Sequence, residues 1–168
     1  MLFRSDGVLS RIVSSASRLV DARYAALGVI DSPTAARRLR TFVHHGLDAG
    51  EVARIGTLPE GHGLLGLIID RPEPLRLHDI AAHASSFGFP EGHPPMRSFL
   101  GVPVRTRDHV FGNLYLTEKQ GGGDFTAQDE AVVVALAAAA GVVIENARLY
   151  EEDRKSTRLN SSHTDISR

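Results

Sequence analysis

SFLGVPVRTRDHVFGNLYLTEK, residues 98–119, decides the fold. Two strand-like runs, Ser98–Arg105 and Val110–Glu118, flank a short polar link, Thr106–His109. Runs of β-branched and aromatic residues around such a link read as an antiparallel hairpin. Side chains alternate across a strand, so Phe111, Asn113, Tyr115 and Thr117 are expected on one face. Gly112, Leu114 and Leu116 then fall on the other. One face must meet helices, and the opposite one must meet something that accepts Phe and Tyr.

Upstream, Tyr24–Ile30 and Leu39–His45 enclose the turn-rich DSPTAAR and read as a second hairpin. Leu75–Leu77 is a short strand candidate behind Pro72 and Pro74. GHGLLGLIIDRP reads as a short helix, and AAHASSFGFPEGHPPM is a long irregular loop with three prolines. Long structureless loops inside a domain tend to carry function. Both ends of the chain are helical in pattern. Leu2, Val8, Leu9, Ile12, Val13, Ala16, Leu19 and Val20 repeat at helical spacing. From Thr126 to about Arg154 the stripe Val132, Val133, Leu136, Ala137, Ala140, Val143, Ile144 and Ala147 is wider, with Thr126 and Asp129 placed to form a cap. Helix, hairpin, loop, hairpin, helix gives an α+β sandwich, with helices on one face of an antiparallel sheet and a pocket under the loop on the other.

The 168 residues suit one domain, and 42% hydrophobic content is enough for a core. A net charge of −1 argues against a chain built to neutralise phosphates. With no cysteine there is no disulfide, thiolate nucleophile, iron–sulfur cluster or thioether attachment. Nor is a Ser-His-Asp order or a close carboxylate pair legible. No uninterrupted apolar run of about 18 residues is present and no signal peptide is legible, so a cytoplasmic domain without a membrane span is expected. The last fourteen residues, KSTRLNSSHTDISR, lose all periodicity and resemble translated vector sequence. The domain is therefore expected over residues 1–154, with a disordered or non-native tail at 155–168, and the natural chain is expected to continue at both ends.

LVDARYAALGVID, LPEGHGLLG, FLGVPVRTRDHVFGNLYLTEK and FTAQDEAVVVALAAAAGVVIENARLYEE, taken in order, resemble a GAF domain over about residues 8–152. The resemblance implies a six-stranded antiparallel sheet with helices behind and a ligand pocket in front. Within it, GFPEGHPPMRSFLGVPV followed by FGNLYLTEK is similar to the haem-binding GAF domain of actinobacterial dormancy oxygen- and redox-sensing histidine kinases. That similarity implies haem b as cofactor, His93 as proximal iron ligand and Tyr115 as the distal group bonded to a diatomic gas. Phe42, Leu64, Leu67, Phe89 and Met96 are expected to supply apolar wall, and His62 to border the pocket. A homodimer through the first and last helices and a C-terminal kinase or other output domain are implied as partners.

The chemistry is consistent with these assignments. Haem iron needs a neutral imidazole nitrogen on one side and an open or weakly held position on the other. Pro94 and Pro95 stiffen the backbone after His93. The remaining histidines have no metal-ligand spacing, and His44–His45 reads as surface. Two alternatives stand beside the sensor: a ligand-free module for dimerisation and signal transmission, and a pocket for a cyclic nucleotide or other small molecule. Lys119, Phe125, Asp129 and Glu130 resemble the later part of the cyclic-nucleotide GAF motif, but Glu118 stands where its Asn is expected. GAF-type methionine sulfoxide reductases and covalent-bilin photoreceptors need the cysteines this chain lacks. A non-enzymatic, regulatory domain is expected.

Overall fold

The computed structural model describes residues 3–31, 39–56, 63–86, 88 and 91–164. In chain order the elements are α1 (Phe3–Leu19), β1 (Ala22–Ile30), β2 (Leu39–His45), α2 (Ala49–Ile55), α3 (Leu64–Asp70) and β3 (Leu75–Leu77). A 3-10 turn (Ile80–Ala82), β4 (Phe99–Arg105), β5 (Val110–Lys119) and α4 (Ala127–Thr164) follow. Among the described residues the sheet has five strands in the order β2-β1-β5-β4-β3, not the six expected. All neighbouring pairs are antiparallel. Because β3 is only three residues long, β4 is an edge strand by Pro103, where a missing backbone donor is tolerated.

The back of the sheet is the main core. Leu9, Val13 and Ala16 of α1 and Val133, Ala137 and Ala140 of α4 close over Leu27, Leu100, Val102, Leu114 and Leu116. α4 approaches β4 so closely that a Cβ at Gly141 would lie 2.6 Å from the Arg105 carbonyl. Phe111 joins this core, contrary to the alternation read from the sequence. The ladder slips between Val104 and Arg105, so Gly112 pairs with Val104 while Val110 pairs with Arg105. That irregularity carries Phe111 to the helix side.

Not all helices lie behind the sheet. α3 packs on the front, where Leu64 and Ile68 meet Tyr24, Ile80, Met96 and Phe99. α2 was not legible as a helix. It buries no residue and is held at its start by a reciprocal capping box between Asp48 and Glu51.

α4 is the largest departure. It continues through Thr164, past the expected end near Arg154. Hydroxyls that normally compete for the backbone are absorbed by the helix: Thr157 donates to Asp153 O, Ser161 to Arg158 O and Ser162 to Leu159 O. The side chains of residues 155–162 are exposed, so this extension adds helix without core. α4 is also long and apolar enough to cross a membrane by length and composition, with 22% of the apolar window buried. Its uninterrupted apolar run, residues 131–144, is still shorter than 18 residues. Val and Ala alternate between a face buried on β4 and an exposed face, so the window is apolar all round.

A polar clamp fixes α4 at its start. Thr126 and Asp129 bond reciprocally, with Thr126 N–H donating to the Asp129 carboxylate (2.8 Å) and Asp129 N–H to Thr126 Oγ1 (3.1 Å). Lys119 Nζ reaches the same carboxylate at 2.9 Å and donates to Val20 O at 2.8 Å. Burial alone would raise the Asp129 pKa; the Thr126 N–H and Lys119 outweigh it and hold the carboxyl below its ordinary value.

A carboxylate depressed on folding stabilises above its unfolded pKa of about 4 and loses that contribution as pH falls through the folded value. Asp129→Asn should therefore cost about 1–2 kcal/mol at pH 7 and flatten the acid limb below about pH 4, as read by urea unfolding across pH. Truncation after Arg154 should change stability by less than about 0.5 kcal/mol in the same assay.

Candidate functional site

The front face owes its shape to small residues on β1. Ala26 and Gly28 pair on one side with His44 and Phe42 of β2, and on the other with Tyr115 and Asn113 of β5. With no bulk on the middle strand, a trough runs between the two outer rows. Leu65 and Ile69 of α3 roof it. The resulting cavity is lined by Gly28, Ile30, Leu39, Phe42, Leu65, Ile69, Asn113 and Tyr115, and holds about 10 Å³. That is room for about one water.

β5 points three residues forward, and each meets a different element. Asn113 Nδ2 donates to the Leu65 carbonyl at 3.1 Å and pins α3 to the sheet. The Tyr115 ring stacks on Phe99 with centroids 6.2 Å apart. Thr117 Oγ1 donates to Met96 Sδ at 3.0 Å. Burial pushes the Tyr115 phenol well above its ordinary value, so its hydroxyl stays protonated and able to donate.

The residues singled out in the sequence divide between two places. Phe42 and Tyr115 line the cavity. Leu64 and Met96 are buried in the neighbouring cluster with Phe99, and Tyr115 packs against that cluster. Leu67 joins neither group. On α3 the pair Leu65 and Ile69 faces the cavity and the pair Leu64 and Ile68 faces the cluster, so the helical phase turns Leu67 away from both. Phe89 and His62 lie outside the described residues. His44 is corrected from surface to half-buried: its ring lies 5.9 Å from Phe42, and its Nδ1 is buried without a partner among the described residues. Leu65, Ile69 and Asn113 were missed as wall. The signals were an i, i+4 pair in GLLGLIID and a forward-facing Asn on the hairpin strand.

His93 is half-buried in the segment before β4 and is not part of the cavity wall. Its Nδ1 lies 2.8 Å from the Pro94 carbonyl. A carbonyl only accepts, so Nδ1 carries the proton and Nε2 of the neutral ring carries the lone pair. This is the tautomer an iron ligand needs. The donor chemistry thus fits the haem that the resemblance implies. The space belongs to α3: a Cβ at Gly101 would lie 2.3 Å from Ile68 Cδ1, so a tetrapyrrole enters the front only when α3 lifts.

The family model described as GAF domain matches residues 4–145. The chain is 26% identical over 167 residues to a probable 3′,5′-cyclic phosphodiesterase, pde-5, of Caenorhabditis elegans; the match covers 90% of this chain and 22% of that protein. Among solved structures it resembles the GAF domain of a phosphoenolpyruvate-protein phosphotransferase from Coxiella burnetii, with a TM-score of 0.74, 26% identity and coverage of 88% and 86% of the two chains. The second GAF domain of DevS from Mycobacterium smegmatis shares the fold at a TM-score of 0.63 and 18% identity, with 88% and 98% covered. With the family model matched over residues 4–145, most of its length, the chain belongs to the GAF domain family.

Proposed function

We propose that this GAF domain is a b-type haem sensor, the input module of a two-component histidine kinase that reads O2, NO, CO or redox state. The observation that carries the reading is the His93 ring, whose Nδ1–H is bonded to Pro94 O so that Nε2 is the basic nitrogen. Pro94 and Pro95 hold that segment at low entropic cost. Tyr115, kept protonated by burial, supplies a hydroxyl donor on the sheet. When bound, haem supplies an iron atom that takes a diatomic ligand or changes oxidation state. His93 would hold it, and Leu64 and Met96 would pack beside it.

Loading has an energetic condition. Lifting α3 uncovers Leu64 and Ile68, at about 1.5–3 kcal/mol each. Haem must favour the open form by more than that sum to shift the population. The small cavity and the seated α3 favour a second reading, a closed module that transmits between helices with no ligand. A cyclic nucleotide meets the same closed front.

Output would run through α4. Ala131, Ala135, Ala138, Val142 and Leu149 are exposed on it at alternating spacings of four and three or their sum, with Val142 at 54% and Leu149 at 56%. That is a coiled-coil seam suited to the same helix of a second copy. Placed in such a seam, Val142→Glu would bury two like charges and should convert a dimer to a monomer in analytical ultracentrifugation. An unchanged mass would remove this pairing.

For the cofactor, the full chain expressed with haem supply should show a Soret band that His93→Ala abolishes. Tyr115→Phe should keep the band while changing oxygen affinity or autoxidation rate. A chain that stays colourless on haem titration leaves the closed module standing.

A further inference from the structure

The penultimate residue of β5 has an unusual conformation. Glu118 has φ 59°, a left-handed backbone in which a glutamate is uncommon. Such a backbone persists where its surroundings hold it. Here the hold comes from the segment that follows His93. Glu118 N–H donates to Ser98 O at 3.1 Å, and its carboxylate accepts the Arg97 N–H. On either side, Thr117 Oγ1 donates to Met96 Sδ and Lys119 N–H donates to Ser98 Oγ at 2.8 Å. Residues 117–119 thus grip residues 96–98, directly after the Pro94–Pro95 pair.

The next residue grips the helices. Lys119 Nζ bonds Val20 O just beyond α1 and Asp129 in the first turn of α4. Gln120 N–H donates to Asp21 O at 2.7 Å, so the chain after Glu118 is tied to the end of α1 as well. Lys119 takes part in both grips, and the left-handed residue stands directly before it. Without the Arg97 contact its backbone keeps only the Ser98 O bond and the Ala22–Lys119 pairing beside it, and relaxation toward an extended form would re-aim the Lys119 side chain. Such a relaxation would take Nζ off both helices.

We propose that Glu118 is a positioning residue that makes the hold of Lys119 on α1 and α4 conditional on the seating of residues 93–97. Its purpose rests on the sensor reading, but the test is made without haem, so either can fail alone. Pro95→Gly loosens the segment without touching the sheet. In the full chain it should speed amide hydrogen exchange at Glu130 in α4 and Val20 after α1 at least fivefold. In a Glu118→Asn background the same change should alter those rates less than twofold, because Asn tolerates the left-handed backbone but is one methylene shorter and does not reach the Arg97 N–H. Glu118→Gly removes the contact by a second route and should behave alike. Glu118→Gln keeps the reach and should restore the fivefold response. Equal responses in all backgrounds, no response in the parent, or a response missing from the Gln variant would each overturn the proposal.

Discussion

The ammonium of Lys119 is where the domain is tied together. It leaves the end of the central strand β5 and bonds both a carbonyl after α1 and a carboxylate in α4. With side chains only 17% and 13% exposed, the Lys119–Asp129 pair is shielded from solvent, which makes it worth more than a surface ion pair. The hydrophobic face of α4 needs that fixed point. Burial is non-directional and would accept several placements of an Ala-rich stripe, whereas a charged hydrogen bond at the first turn sets both axial position and rotation. Gly141, three turns on, then meets β4 at backbone distance. Salt bridges from Arg76 to Glu130 and from Arg40 to Glu151 add ties from the two edge strands.

Much of this was written plainly in the sequence. Both hairpins, the short strand after Pro74 and the two terminal helices follow from periodicity and turn residues, because each such pattern has a single burial solution. The Thr126–Asp129 cap was legible for the same reason. The failures share a cause: each depends on contacts between distant segments. The slip that sends Phe111 to the back arises in the pairing of β4 with β5. α2 buries nothing, so it leaves no apolar stripe to read. The rotation of α3, which exchanges Leu67 for Leu65 and Ile69, is set by Asn113 reaching the Leu65 carbonyl. The helix past Arg154 has no apolar stripe because its side chains over residues 155–162 are exposed and enter no core.

The candidate site was legible in its chemistry rather than in its volume. His93 and Tyr115 were named from motif and strand phase. The structure puts Tyr115 on the cavity wall and leaves His93 outside it. What a one-dimensional pattern does not contain is the thickness of the front layer. That depends on how far Ile68 and Phe99 extend over the bare backbone of Gly101. A glycine facing a pocket and a glycine facing a tightly seated helix look the same in a string of letters.

The place of α4 in the chain has a consequence for biosynthesis. Leu100, Val102, Leu114 and Leu116 are complete before Val133, Ala137 and Ala140 are made, so the sheet leaves the ribosome with only α1 to cover its back. The nascent domain must wait for its last helix, and during that interval a row of β-branched and leucine side chains is available to chaperones or to neighbouring chains. Synthesis speed through residues 120–140 thus sets how long the newborn sheet stays adhesive.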